Sequence, residues 1–318
     1  MKIGLDLMGG DFAPEAVLKG IQLKLKENDS NLSLVLFGNS DIINKNSKEL
    51  FEEIKSSSNI TFVEAPEVIE MGESPTKAIT HKRKSSIVLG YEYLKNNEID
   101  VFIGAGNTGA MLVGALYSVK SIEGVLRPTL STVLPKVDNK FGILLDVGIN
   151  PDCRQDVLYQ FGLLGSLYLK YVHNFDNPKV GLLNIGSEEG KGNLLAQAAH
   201  KLMKSTSMFN FIGNVEGYDI FSDKTDVAVC DGFTGNIVLK TAEGIYKILK
   251  GRGIQDEYLD SLNYEKYGGS PILGINKPAI IGHGISSPRA FMGMIDMSVL
   301  VVEKDMVGEI KKVFQQNY

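Results

Sequence analysis

Glycines and small polar side chains cluster in four short segments of this sequence. The segments are residues 6–11, 104–109, 184–193 and 231–236, and a fifth at 282–284 adds the titratable His283. Glycine lets backbone N–H groups approach an anion, and Asn, Thr and Lys side chains donate hydrogen bonds to it. These segments therefore predict a site for phosphate or for the oxyanion of a reaction intermediate.

The elements that must position these segments follow a regular pattern. Short apolar runs alternate with longer amphipathic runs, which is typical of β-α units around a mostly parallel sheet. We predict strands at residues 3–7, 32–37, 60–63, 99–103, 130–134, 142–147, 180–185, 209–212, 227–230 and 279–281. We predict helices at residues 14–27, 75–96, 108–120, 155–171, 192–204, 234–250 and 287–312.

Glycines follow most of the predicted strands, so the polar segments are expected at one edge of the sheet, where helix N-termini bind anions. No polar linker divides the sequence. We therefore expect residues 1–318 to form a single α/β unit, with helices on both faces of a mostly parallel sheet and two intimately joined lobes that share a cleft.

Composition excludes several classes of protein. The 318 residues include 34 glycines and 2 cysteines, and the formal net charge is −5. Glycine exceeds its usual ~7% without Pro enrichment or a fixed period, which excludes collagen and disorder. The charge argues against a nucleic-acid partner. With no disulfide framework, no zinc spacing and no signal-peptide pattern, we expect a cytoplasmic protein without a metal.

The spacing Gly104-x-Gly106-x-x-Gly109 matches the dinucleotide-binding fingerprint. That fingerprint also requires an acidic residue about 20 positions later, at the end of a strand. Glu123 has roughly this spacing but lies in a predicted loop. Phosphate binding by this turn is therefore favoured over dinucleotide binding, while a purely structural role for any single glycine stays open.

Side-chain nucleophiles have little support. The sequence has no Gly-x-Ser-x-Gly elbow, no His-Glu-x-x-His and no Walker lysine after a glycine loop. Cys230 ends an apolar strand, where a buried and inert thiol is the common case. Neither Cys230 nor Cys153 is assigned a role in the chemistry.

Six ordered motifs extend over nearly the whole sequence. They are MGGD at 8–11, GAGNTG at 104–109, GLLNIG at 181–186, KGN at 191–193, GNVEG at 213–217 and DGFTGN at 231–236. Together they resemble the PlsX-type phosphate acyltransferases of bacterial phospholipid synthesis. The resemblance implies a homodimer with an isocitrate-dehydrogenase-like or phosphotransacetylase-like fold. It also implies transfer of a fatty acyl group from acyl carrier protein to inorganic phosphate, without a cofactor, upstream of a membrane glycerol-3-phosphate acyltransferase.

Phosphate attack on a thioester needs a phosphate cradle beside an oxyanion hole. Lys191 is expected to neutralise phosphate or the oxyanion, Asn193 and Asn236 to orient it, and His283 to shuttle a proton, with a structural histidine as the alternative. The other candidates for phosphate or substrate binding are Gly104, Gly106, Asn107, Thr108, Gly109, Asn184, Glu216, Asp231, Gly232, Thr234, Gly235, Ser85 and Ser86.

Lys82, Arg83 and Lys84 belong to the densest basic cluster, which resembles the family's basic helix with paired serines. Because the carrier protein is acidic, an acidic enzyme that binds it must concentrate positive charge locally. These three residues are therefore candidates for carrier docking. A solvated helix face, or a position of Lys82 and Ser85 against phosphate, is the alternative.

Three positions depart from the family pattern. Phe12 stands where the family usually has His, and Gly282 where it usually has Lys, so roles for those side chains are absent. The connection at 251–266 is shorter than the family's apolar and basic excursion, which leaves peripheral membrane attachment open. The alternative functions are a phosphotransacetylase-type enzyme that uses acyl-CoA, a nicotinamide-dependent dehydrogenase, and an acyl- or phosphate-binding protein.

Overall fold

The computed structural model describes residues 1–27, 32–137 and 140–317. The strands in this part of the chain are β1 (Lys2–Asp6), β2 (Ser33–Gly38), β3 (Ile60–Glu64), β4 (Val101–Gly104), β5 (Thr129–Pro135), β6 (Phe141–Leu145), β7 (Lys179–Leu183), β8 (Asn210–Val215), β9 (Val227–Val229), β10 (Ser270–Leu273) and β11 (Ala279–Ile281). The helices are α1 (Glu15–Leu25), α2 (Ser40–Lys55), α3 (Pro75–His81), α4 (Ser86–Lys95), α5 (Thr108–Ser118), α6 (Gln155–His173), α7 (Leu194–Lys204), α8 (Gly232–Gly251), α9 (Glu257–Ser261), α10 (Pro288–Glu303) and α11 (Met306–Asn317).

The chain divides into two compact units. Unit 1 comprises Met1–Lys120 and Glu265–Val307, and unit 2 comprises Ser121–Tyr264 and Gly308–Tyr318. Each unit is therefore built from two separate segments of the sequence, because the chain returns to unit 1 for β10, β11 and α10. The cleft expected between two lobes stays a prediction.

Unit 1 contains the strand order β3-β2-β1-β4-β11-β10. Each neighbouring pair is parallel except β10 with β11. The central strand β1 is buried, with Ile3 and Leu5 at no more than 1% exposure, as expected of a strand covered by helices on both faces. Helix α1 packs closely on α10, because Gly20 leaves room for the backbone and side chain around Phe291.

Unit 2 contains the strand order β5-β6-β9-β7-β8, parallel except for β5 with β6. Helix α6 is mostly buried against this sheet. A buried ion pair joins Lys136 to Asp226 at 2.6 Å, and the second oxygen of that carboxylate accepts the N–H of Lys179 at 2.9 Å. Because both charges are paired and hydrogen-bonded, their burial in this unit is tolerated.

The predicted mostly parallel α/β fold is confirmed, but two predicted helices are each divided. The helix predicted at 75–96 breaks at Lys82, whose φ of −97° and ψ of 67° are not helical, and Ser85 then caps α4 by accepting the N–H of Val88. The helix predicted at 287–312 breaks at Asp305, which has a φ of 46°. Local backbone geometry, rather than apolar periodicity, decides both breaks.

The sequence also missed α2, α9 and β10. Helix α2 carries few apolar residues among Asn, Ser and Lys, although Asn39 caps it by accepting the N–H of Ile42 at 3.0 Å. Strand β10 contains Pro271, which is tolerated at few strand positions. Among the described helices, none has the length and apolar character needed to cross a membrane.

Candidate functional site

The glycine turn after β4 is held by its own unit. Asn107 caps α5 through its Oδ1, which accepts the N–H of Ala110 at 3.0 Å, and its Nδ2 lies 2.9–3.2 Å from three carbonyl oxygens in the loop at 70–73. A Cβ at Gly109 would lie 2.4 Å from the Cγ of Pro75. The Asn107 amide therefore has no N–H to offer a phosphate. The turn also contains Gly104, Gly106 and the exposed Thr108.

A buried carboxyl group lies behind this turn. Asp6, at the end of β1, is 2% exposed and accepts the N–H of Met8 at 2.9 Å. It also accepts hydrogen bonds from the Ser86 hydroxyl and the N–H of Gly9. Burial raises the pKa of Asp6 to about 6, although these hydrogen bonds act in the opposite direction. Ser86 thus faces Asp6, while Ser85 is fully buried as the cap of α4.

Sequence reasoning gave Asp6 no role of its own. Its position at the end of the first strand, before two glycines, was the available signal. A strand-end Asp is usually exposed, so its burial could only come from the packing of α4 and the glycine turn around it.

One lysine of the basic cluster is paired with a nearby carboxylate. The Lys82 ammonium forms an ion pair with Glu73 and donates to the carbonyl oxygen of Val68 at 2.6 Å. The backbone N–H of Lys84, rather than its ammonium group, donates to a carboxylate oxygen of Glu67 at 2.7 Å. The side chains of Arg83 and Lys84 remain exposed and Lys82 is half-buried, so Lys82 serves mainly to hold the loop before α3.

His283 lies two residues after β11 in unit 1. Its Nδ1 accepts the N–H of Ile285 at 3.4 Å, which places the proton of the neutral ring on Nε2. The following carbonyl oxygen, of Gly284, accepts the N–H of Asp11 at 2.7 Å. The segment that carries His283 is therefore hydrogen-bonded, through Gly284, to the turn after β1.

In unit 2, the turn from β7 to α7 positions Lys191. The Asn184 Nδ2 donates to the Lys191 carbonyl oxygen at 3.1 Å, and a Cβ at Gly186 would lie 3.0 Å from the Lys191 Cγ. The ammonium group lies 3.9 Å from the nearer oxygen of Glu188, and both side chains are about half exposed or more, at 49% and 68%. Lys191 thus has a backbone carbonyl held by Asn184 and a half-exposed, loosely paired ammonium group, which suits it to bind an anion.

The turn from β9 to α8 is built around Asp231. Its carboxylate accepts the N–H of Thr234 at 2.8 Å and the Thr234 hydroxyl at 3.2 Å, which caps α8. A Cβ at Gly235 would lie 1.9 Å from the carbonyl oxygen of Asp146, so only glycine fits there. Gly232 donates its N–H to the carbonyl oxygen of Asn150 at 2.7 Å.

A second buried carboxyl group, which sequence reasoning missed, supports this turn. Asp146 is fully buried and accepts hydrogen bonds from the backbone N–H and the side-chain amide of Asn150, at 2.7 and 2.6 Å. Burial raises the pKa of Asp146, and the hydrogen bonds from Asn150 and its neighbours oppose this. The Asp-Val-Gly-Ile-Asn spacing at 146–150, after a predicted strand, was the signal that could have found it.

Both cysteines are buried beside these carboxylates. Burial first, and then the charges of Asp146 and Asp231, raise the pKa of the Cys153 thiol to about 12. Burial also raises the pKa of Cys230 well above its ordinary value. Both thiols are therefore neutral near pH 7 and are poor nucleophiles.

Unit 2 brings several predicted residues to one cavity of about 390 Å³. They are Asn184, Asn193, Asp231 and Thr234. Asn193 also caps α7, where its Oδ1 accepts the N–H of Ala196 at 2.8 Å. Asn236 is exposed next to Gly148, and Glu216 follows β8 beside the start of the β7–α7 turn. His283 and the glycine turn at 104–109 belong to the other unit.

Among the described residues, no group of three or more His, Cys, Asp and Glu side chains is placed to hold a metal ion. Glu123, the candidate ribose ligand of the dinucleotide alternative, lies in the turn after α5 and not at the end of a strand. Glu123 therefore does not supply the acidic partner that dinucleotide binding requires.

Comparison with known proteins supports the family resemblance that the motifs indicate. The sequence model of a family described as fatty acid synthesis protein matches residues 1–258. A phosphate acyltransferase from Dictyoglomus turgidum is 41% identical over 98% of this chain and 96% of its own length. One from Bacillus cereus is 36% identical over 99% of both. The chain belongs to the phosphate acyltransferase family. This family member is an acyltransferase that transfers an acyl group to phosphate.

Solved structures agree on the fold of this phosphate acyltransferase family member. A phosphotransacetylase from Staphylococcus aureus superposes with a TM-score of 0.63 at 17% identity, over 95% of this chain and 94% of the other. A branched-chain phosphotransacylase from Enterococcus faecalis gives 0.63 at 14% identity, over 95% and 99%. The expected phosphotransacetylase-like fold is thus confirmed.

Proposed function

We propose that this enzyme transfers a long-chain fatty acyl group from acyl carrier protein to inorganic phosphate, and so supplies acyl phosphate for phospholipid synthesis. A phosphate oxygen attacks the thioester carbonyl carbon and forms the new C–O bond. The C–S bond then breaks, and the thiolate of the carrier takes up a proton. Because a thiolate leaves easily, most of the rate must come from positioning and from stabilisation of the oxyanion.

The contacts of Lys191 are the observation that supports this proposal. Its stem lies over Gly186, its carbonyl oxygen is held by Asn184, and its charge is only loosely paired with Glu188. A weakly paired cation beside the substrate stabilises the negative charge of phosphate or of the tetrahedral oxyanion. Asn193 and Asn236 orient the reacting groups, and the proton-shuttle role of His283, a residue of unit 1, stays a prediction.

Arg83 and Lys84 are proposed to dock the acidic carrier protein, because their side chains are exposed while Lys82 is held by Glu73. The homodimer, the membrane glycerol-3-phosphate acyltransferase that uses the product and peripheral attachment to the membrane remain predictions from the resemblance. Each is separate from the chemistry that Lys191 performs.

The test is to incubate the enzyme with phosphate and either palmitoyl-carrier protein or palmitoyl-CoA, and to trap acyl phosphate with hydroxylamine. Lys191→Ala should lower kcat/KM by about 10²-fold or more, while Lys201→Ala, which removes an exposed lysine of α7, should not. Product from palmitoyl-CoA alone would favour the phosphotransacetylase-type alternative. No product with either donor would overturn the proposal, and near wild-type turnover of Lys191→Ala would remove Lys191 from the mechanism.

A further inference from the structure

The cavity of about 390 Å³ in unit 2 has a different character from a phosphate cradle. It lies where β7 and β9, which are parallel neighbours, lead into α7 and α8. Apolar side chains, among them Leu158, Leu182 and Leu195, form much of its wall. Its size lies within the range of about 300–1,000 Å³ that is usual for small-molecule pockets.

The charge of the cavity opposes an anion. Asp231 is its only ionisable carboxylate among the described lining residues, and no lysine, arginine or histidine lines it. Lys191 lies on the turn outside this lining. A phosphate ion inside would therefore face a carboxylate without a compensating cation, and like charges disfavour each other.

The two helix N-termini at the cavity do not reverse this preference. Asp231 already accepts the N–H of Thr234 at α8, and Asn193 already accepts the N–H of Ala196 at α7. The Asp231 carboxylate also supplies the negative charge that the N-terminus of α8 favours. At each terminus, one backbone N–H is thus already bonded to the protein's own capping side chain, and at α8 the cap is itself negatively charged.

The polar groups suit a neutral chain that carries amides. Asp231 offers carboxylate oxygens to an N–H, and the Asn193 side-chain nitrogen, which makes no hydrogen bond within the described chain, can donate to a carbonyl. At the mouth, Ile185 is 80% exposed, and the adjoining Leu194 is 86% exposed. An apolar mouth and an amide-binding interior match a pantetheine arm that ends in an acyl thioester.

We propose that this cavity binds the pantetheine arm of the acyl donor and excludes inorganic phosphate. The proposal rests on acyl transfer from a pantetheine thioester and deepens the proposed function by assigning one substrate to this cavity. Acyl carrier protein and CoA present the same arm, so the cavity recognises their shared chemistry. Phosphate then approaches from the side of Lys191.

Ala196→Leu tests the proposal because Ala196 lines the cavity, and Ala198→Leu is its matched control on the exposed face of α7. Ala196→Leu should raise KM for palmitoyl-carrier protein and palmitoyl-CoA at least fivefold and leave KM for phosphate within twofold. Ala198→Leu should match the wild type with all three. A rise in KM for phosphate, or no change in any KM, would overturn the proposal. A rise in KM for only one donor would show that the cavity recognises a part of that donor other than the shared arm, and would also overturn the proposal.

Asp231→Asn gives a second variant that keeps the helix cap, since Asn caps helices as well as Asp. If the cavity excludes phosphate, this variant should raise KM for the donors and leave KM for phosphate unchanged. A severalfold decrease in KM for phosphate would place phosphate beside residue 231 and overturn the proposal.

Calorimetric titration of the full-length enzyme with pantetheine separates this proposal from the proposed function. Binding that Ala196→Leu weakens at least fivefold, and Ala198→Leu does not, supports the cavity assignment even if no acyl phosphate forms. Absence of pantetheine binding by an enzyme that does form acyl phosphate would overturn the cavity assignment alone.

Discussion

Replacement of Asp6 by Asn should change how the stability of the enzyme depends on pH. Asp6 is buried at the end of β1, and its pKa is raised from 3.8 to about 6. The folded state therefore holds this proton more tightly than the unfolded state does. Stability falls as pH rises from about 4 to about 6 and is then constant, because the buried carboxylate carries its full cost above the folded pKa.

The magnitude follows from the two pKa values. A raised pKa of about 6 against 3.8 corresponds to a cost of about 3 kcal/mol at high pH, of which about 2 kcal/mol develops between pH 4.5 and 7.5. Asp6→Asn removes this cost. It also weakens the hydrogen bonds from Met8 and Ser86, which lowers the unfolding free energy of the variant relative to the wild type. The difference in unfolding free energy between variant and wild type should therefore shift by about 2 kcal/mol in favour of the variant over this pH range.

Urea unfolding followed by far-ultraviolet circular dichroism, at half-unit steps from pH 4.5 to 7.5, measures this shift. Asp41→Asn, on the exposed first turn of α2 in the same unit, controls for the loss of one negative charge. If the curves of wild type and Asp6→Asn stayed parallel across the pH range, Asp6 would not titrate as a buried group and the reasoning would be refuted.

Two further predictions concern α8 and the basic cluster. Gly235→Ala places a Cβ 1.9 Å from a backbone carbonyl oxygen, so it should destabilise the enzyme by about 3 kcal/mol or more in thermal or urea unfolding. Gly244→Ala on the same helix meets nothing within 4 Å and should stabilise it by about 0.5–1 kcal/mol; equal effects would contradict the packing. Arg83→Glu combined with Lys84→Glu should raise KM for the carrier protein severalfold at low salt and much less in ~0.5 M salt, and an unchanged KM would exclude docking there.

The order of elements was readable from the sequence because each strand buries a short apolar run and each helix buries an apolar stripe. The runs at β1, β4 and β9 and the helices α5 and α7 were predicted within a few residues. The breaks at Lys82 and Asp305 were not, because they depend on backbone dihedral angles that several residue types adopt. The return of the chain to unit 1 after residue 264 also depends on long-range packing.

The sequence predicted which residues form the candidate site, but not which partners their side chains bind. The sequence placed Asn184, Asn193 and Asp231 in turns after strands, and the structure gathers these residues at one cavity. It could not show that the Asn107 amide is used by the loop at 70–73, or that Lys82 is paired with Glu73. Both interactions join residues separated along the chain, so spacing carries no signal of them.

By itself, the sequence determined the fold class, the family and the concentration of glycines in turns that follow strands. These properties depend on local apolar patterning and on ordered motifs. Only the tertiary structure decided which polar groups are engaged by the protein and which are available to a ligand. The physical reason is that availability depends on burial and on distant partners: the same carboxyl group is a solvated charge at a strand end, or, as for Asp6, a buried acid once α4 packs over it.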